Sequence, residues 1–159
     1  LVTTGAGATV SELMEACGGM ADGHKFKGYL PGGASGGILP AHLADVPLDF
    51  GGKLAELGCF VGSHAIVVLS DKDNMWKVAT NLLQFFAHES CGQCTPCRSG
   101  TEKAVSLMTS DTPDTALLGE LADTMADASI CGLGQAASNP LISVMTHFPG
   151  DISDAASEK

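Results

Sequence analysis

The spacing of apolar positions changes across Asp71-Lys72-Asp73-Asn74. Before this polar break the pattern is short and interrupted by glycine. After it, apolar residues recur every three or four positions, as on one face of a helix. Thr9-Val10-Ser11-Glu12 reads as a capping box, with Thr9 as N-cap and Glu12 at the third helical position. Val10, Leu13, Met14 and Cys17 follow as one buried helical stripe, on which Cys17 is a small core hydrophobe. Gly18-Gly19 ends that helix. Lys25 to Leu30 alternates like a half-buried strand and runs into Pro31-Gly32-Gly33-Ala34-Ser35-Gly36-Gly37. No Gly-Lys-Ser/Thr and no helical pattern follow these glycines, so a sharp loop with φ > 0 is predicted over a phosphate cradle. A small-ligand role for the loop stays open. Leu57 to Leu69 reads as further strand, turning at Gly58 and Gly62-Ser63, with Cys59 packed inside. The polar break then places a domain boundary, giving domains of residues 1–73 and 74–159.

The second domain reads as four short helices joined by short loops, a bundle. Asn74 caps a helix to about Ala87, with Met75, Val78, Ala79, Leu82, Phe85 and Phe86 inward and Trp76 beside them in the core. A second helix starts near Cys97 and carries Ala104, Val105, Leu107 and Met108. Thr112-Pro113 is the start signal of a third, with Leu117, Leu118, Leu121 and Met125 inside. Asn139-Pro140 starts a fourth, carrying Leu141, Ile142, Val144, Met145 and Phe148, and Pro149-Gly150 stops it. The polar tail from Asp151 is expected to fray. The fold class is therefore α+β: a small sheet unit, then a helical bundle.

Net charge is −10 with a pI near 4.6. That excludes nucleic acid as a natural partner, since phosphate binding needs a basic face. The run Ala65-Ile66-Val67-Val68-Leu69 is far too short to cross a bilayer, so no direct membrane insertion is expected. The chain begins at Leu1 and carries no signal-peptide pattern, and it reads as a piece of a longer polypeptide. Six cysteines could form a secreted disulfide framework, but four of them cluster in one motif. A reducing compartment fits better.

That motif is Cys91-Gly92-Gln93-Cys94-Thr95-Pro96-Cys97, with Cys131 following 34 residues after Cys97. Thiolates are the soft ligands selected by zinc and by iron–sulfur clusters. Structural zinc sites take cysteines as two separated pairs. One overlapping triplet plus a distant fourth favours a [4Fe–4S] cluster on Cys91, Cys94, Cys97 and Cys131. Gly92 and Gly132 leave room for backbone N–H groups near sulfur, and Pro96 stiffens the loop. Leu, Met and Phe residues of the bundle would supply a dry wall. Arg98 either faces inward and raises the cluster potential or makes a surface or interface salt bridge. With four cysteines present, His88 reads as a loop hydrogen-bonder rather than a ligand.

The run from Glu89 to Gly100 and the segment Ser129-Ile130-Cys131-Gly132-Leu133-Gly134 closely resemble the cluster loops of the NADH-binding flavoprotein subunit of respiratory complex I. Flavin-carrying subunits of NAD-dependent formate dehydrogenases and NAD-reducing hydrogenases share them. The resemblance implies that residues 1–73, read as strand–helix–strand–loop–strand, are a soluble-ligand-binding β-grasp domain. It further implies an electron-transfer module that relays single electrons between a flavin and other iron–sulfur centres. FMN and NAD(H) are expected on a part of the subunit outside this chain. Expected partners are other oxidoreductase subunits, among them a thioredoxin-like [2Fe–2S] subunit. The expected location is cytoplasmic, peripheral to the inner face of a membrane. Residues 134–140 and 147–151 look more like the formate dehydrogenase branch. The alternative is a non-redox module held together by structural zinc.

Acidic charge is uneven: residues 1–73 hold four basic and eight acidic residues, and residues 74–159 hold four and ten. Asp111, Asp114, Glu120, Asp123 and Asp127 are expected to make one face of the third helix negative, either solvated or docked on a cationic partner.

Overall fold

The computed structural model describes residues 3–157. The chain divides into two compact units, Leu1–Asp73 and Asn74–Lys159.

In the first unit, α1 (Val10–Ala16) starts on the capping box. The Glu12 N–H donates to Thr9 Oγ1 at 3.2 Å, and the Thr9 N–H donates to Glu12 Oε2 at 2.9 Å. Val10 is buried, and Leu13 and Met14 are half-buried. Cys17 is exposed, against expectation. The helix lasts only seven residues, so Cys17 falls on its C-cap, where Gly18 and Gly19 at φ 91° and 80° turn the chain away from the stripe.

Three antiparallel strands follow among the described residues: β1 (Phe26–Leu30), β2 (Leu39–Pro40) and β3 (Val67–Ser70), in the order β2-β1-β3. Tyr29 faces Leu39 on one side and Val68 on the other. The strand expected from Leu57 to Leu69 is confined to its last stretch. A short helix that sequence reading missed, α2 (Gly52–Glu56), precedes an irregular segment there. The glycine loop packs backbone to backbone on that segment. The Ser63 N–H donates to the Gly32 carbonyl at 2.8 Å, and a Cβ on Gly32 would lie 2.6 Å from the Val61 Cα. This close approach requires a residue without a Cβ at Gly32. Val10, Tyr29, Leu39, Ala44, Leu54, Cys59 and Val61 form the core. Tyr29 donates its hydroxyl to the Leu43 carbonyl at 2.9 Å.

The second unit is helical. Asn74 caps α3 (Met75–Glu89) by accepting the Lys77 N–H at 3.0 Å. Its buried stripe is Met75, Trp76, Ala79, Leu83 and Phe86. That face is rotated from the expected one, and Phe85 is 50% exposed. Trp76 is core, as expected, and its indole N–H donates to the Met108 carbonyl at 3.1 Å. Next come α4 (Thr95–Met108), α5 (Thr115–Ala128), α6 (Gly132–Ala136), α7 (Asn139–His147) and α8 (Pro149–Ser157). Helix α3 packs against α4, α7 and α8, while α5 packs against α4, α6 and α7. Helix α5 begins later than Thr112-Pro113 suggested. Asp114 is its N-cap and accepts the Leu117 N–H at 3.0 Å, so one member of the expected acidic face serves as a cap. In α7, Leu141 and Val144 are buried but Ile142 is 38% exposed.

The tail is helical from Asp151 to Ser157 instead of frayed, and Glu158 and Lys159 lie outside the described residues. Pro149 opens α8, and the Asp151 carboxylate accepts the Met75 N–H at 2.6 Å. Asn74 Nδ2 donates to the Asp151 carbonyl at 3.0 Å. This places a carboxylate at the N-terminus of α3, where orphan N–H groups and the helix dipole favour negative charge. Among the described residues, no helix is long and apolar enough to cross a membrane.

Candidate metal centre

The cysteine triplet lies where α3 ends and α4 begins. Ser90 terminates α3, and Gly92 at φ 75° turns the chain in the left-handed region that favours glycine. Cys94 is the N-cap of α4, Pro96 sits in its first turn, and Cys97 enters the helix with 5% exposure. Three local contacts hold this turn. Ser90 Oγ accepts the Gly92 N–H at 3.3 Å and lies 3.4 Å from Cys97 Sγ. Arg98 Nη1 donates to the Gly92 carbonyl at 2.6 Å. Arg98 therefore clamps the loop backbone. The ion pair considered for it does not form among the described residues.

Cys131 lies between α5 and α6, as the N-cap of α6. Its segment folds back onto the triplet. The N–H of Ile130, and then that of Cys97, point at the Cys94 sulfur and hold its thiol below the ordinary value; the dipole of Ser129 adds to this and partial burial opposes it. Gly134 makes the approach possible: a Cβ there would lie 2.5 Å from Ser129 Oγ and 2.8 Å from the Cys97 Cβ. Gln135 Nε2 closes the turn by donating to the Ser129 carbonyl at 3.0 Å. Among the described residues the buried Ser129 hydroxyl has no hydrogen-bond partner, yet it lies near the Cys94 thiol and favours its charged form.

The structure thus brings the Cys131 segment against Cys94 and Cys97. It leaves Cys91 and Cys131 exposed, Cys94 half-buried and Cys97 buried, so the expected dry wall covers one side only. Among the described residues, no three His, Cys, Asp or Glu side chains converge on a point that would hold a single metal ion. The donor set fits a cluster: four thiols, backbone N–H groups aimed at one of them, and an orphan hydroxyl beside it. His88 is exposed on the last turn of α3 and makes no hydrogen bond among the described residues. Sequence reading missed Ser129 and Gly134 as site residues. The signal that could have found them is their adjacency to Cys131.

Comparison with known proteins agrees with this geometry. Residues 77–155 match the family described as the NADH-ubiquinone oxidoreductase-F iron–sulfur binding region. The NADH-quinone oxidoreductase F subunit of Streptomyces coelicolor is 34% identical over 148 residues, covering 89% of this chain and 33% of that protein. The chain corresponds to the C-terminal, iron–sulfur binding part of this subunit family. Another member, the HndC subunit of the NADP-reducing hydrogenase of Solidesulfovibrio fructosivorans, is 36% identical over 140 residues, covering 84% of this chain and 28% of that protein. A crystal structure of an NAD⁺-reducing [NiFe]-hydrogenase in its H2-reduced state matches with a TM-score of 0.80 at 25% identity, over 94% of this chain and 26% of that one. The chain spans about a third of the length of the curated relatives it matches. Its matched region is the family's iron–sulfur binding region, which covers the triplet and Cys131.

Proposed function

We propose that this chain is the electron-relaying part of an NAD(H)-linked oxidoreductase, in which Cys91, Cys94, Cys97 and Cys131 hold one [4Fe–4S] cluster. The observation that carries the reading is the approach of the Ile130 N–H to Cys94 inside the matched iron–sulfur region, which brings the fourth cysteine's segment to the triplet. When bound, the cluster supplies one-electron transfer. The chain's own residues hold and tune it. Arg98 and Ser90 fix the triplet turn, Gly134 lets α6 close on α4, and backbone N–H groups stabilise negative charge on sulfur.

Residues 1–73 act as a β-grasp unit, and α3, α4, α5 and α7 as a four-helix bundle beneath the cluster. FMN and NAD(H) bind a part of the subunit outside this chain, and the next acceptor or donor is an iron–sulfur subunit of the thioredoxin-like [2Fe–2S] type. The assembly works in the cytoplasm at the inner face of a membrane. Its terminal couple is that of a formate dehydrogenase or an NADH dehydrogenase. Residues 134–140 and 147–151 support the formate branch, and the named relatives support the NADH-quinone and hydrogenase branches.

Metal and acid-labile sulfide analysis of anaerobically purified chain tests the reading. About four irons and four sulfides per chain are expected for a cubane. One zinc with no sulfide would replace it with the structural-zinc reading.

A further inference from the structure

Ser129 is the one buried side-chain hydroxyl without a hydrogen-bond partner among the described residues. Its backbone is fully engaged: the N–H donates to the Met125 carbonyl at 3.2 Å, and the carbonyl accepts from Gln135. Other hydroxyls of this unit find a carbonyl one helical turn back. Thr101 donates to Cys97, Thr124 to Glu120 and Thr146 to Ile142, each at 2.8 Å. Ser129 has left the helical conformation, at φ −74° and ψ 141°, and makes no such bond. Its hydroxyl is instead pressed between Gly134 and the Cys94–Cys97 turn. A buried polar group kept unpaired in a native fold calls for an explanation, and an absent ligand is one.

We propose that Ser129 is a positioning and tuning residue of the cluster site: with the cluster bound, its hydroxyl donates to the Cys94 sulfur and raises the reduction potential. This rests on the cluster assignment above. Reduction adds one electron, supplied by the flavin of the oxidoreductase, and neither breaks nor makes a bond to the protein. The extra negative charge is spread over the sulfurs, so a donor to sulfur stabilises the reduced form more than the oxidised one. Gly134 belongs to the same device, because any larger residue would occupy the place of the hydroxyl.

The test is an EPR-monitored redox titration of cluster-loaded chain carrying Ser129→Ala, Ser129→Thr or Ser129→Val. Thr and Val have nearly the same shape and differ in a hydroxyl, so their comparison separates hydrogen bonding from packing. The expected result is a midpoint shifted to lower potential in Ala and Val, with Thr near the parent, and loss in Val of one exchangeable-proton coupling seen by pulsed EPR. Equal midpoints and equal proton couplings for Thr and Val, with iron content intact, would overturn the proposal. If Ala loses the cluster, the Thr and Val pair decides. If the parent chain binds no cluster, the functional reading fails first, and that outcome is recognised by its iron content.

Discussion

A Cβ placed on Gly134 would lie 2.8 Å from the Cβ of Cys97. The two residues belong to α6 and α4, so their contact sets how closely the Cys131 segment can approach the triplet. Gly134→Ala is expected to cost about 1–3 kcal/mol by overpacking and to lower iron content per chain. Gly119→Ala is the control: Gly119 lies within α5 with open space around its would-be Cβ, and this change is expected to stabilise by about 0.5–1 kcal/mol. Urea titration and iron analysis of both variants check the pair. Equal behaviour would remove Gly134 from the site.

Cys131→Ser removes the distant thiolate while keeping size and polarity. Loss of the cluster, or its conversion to a form with fewer irons, is expected. Visible absorption and iron content read the result, and an unchanged spectrum would remove Cys131 from the ligand set.

Asp151→Ala removes the carboxylate that accepts the Met75 N–H. The loss resembles that of a helix cap and is expected to destabilise the helical unit by about 1–2 kcal/mol. The buried indole of Trp76 reports it in a urea titration followed by fluorescence. Cap loss should shift the midpoint and leave the slope unchanged.

What could be read from the sequence follows from the range of the interactions. Thr9, Glu12 and Asn74 announce their helices because a cap is a contact within three residues. The cysteine triplet is likewise local, a spacing legible within seven residues, whereas Cys131 lies 34 residues further on and its segment was picked out with the help of the family resemblance. Three features were hidden, the last two because distant residues create them. Cys17 fits a helical stripe, but the helix ends beneath it. The tail after Pro149 looks polar and loose, yet Asp151 is held by the start of α3, 76 residues away. Ser129 is marked in the sequence only by its adjacency to Cys131, and its burial without a partner emerges only when α6 folds against it.

Alkaline pH should destabilise the first unit. Burial, with smaller contributions from Cys59 and Asp45, pushes the Tyr29 phenol from 10.0 up to about 12, and burial pushes the Cys59 thiol from 9.0 up to about 11. Both groups stay neutral in the fold at pH values where the unfolded chain has ionised. The unfolded state then holds fewer protons, so stability falls as pH rises. The Cys59 contribution is present below pH 9 and is lost by about 11; the Tyr29 contribution is present below pH 10 and is lost by about 12. Each is worth roughly 3 kcal/mol at most. Urea titrations at pH 8 and pH 10.5 should show the drop, and Cys59→Ala with Tyr29→Phe should flatten it. A parent chain equally stable at both pH values would contradict this account of the core.

The central claim is that this chain holds a redox-active iron–sulfur cluster on four cysteines. Optical and EPR spectra of anaerobically purified chain, before and after dithionite, test it most directly. The account predicts a broad visible absorption that bleaches on reduction and a spin-one-half signal in the reduced sample. A colourless, EPR-silent chain that stays so after reconstitution with iron and sulfide would contradict it.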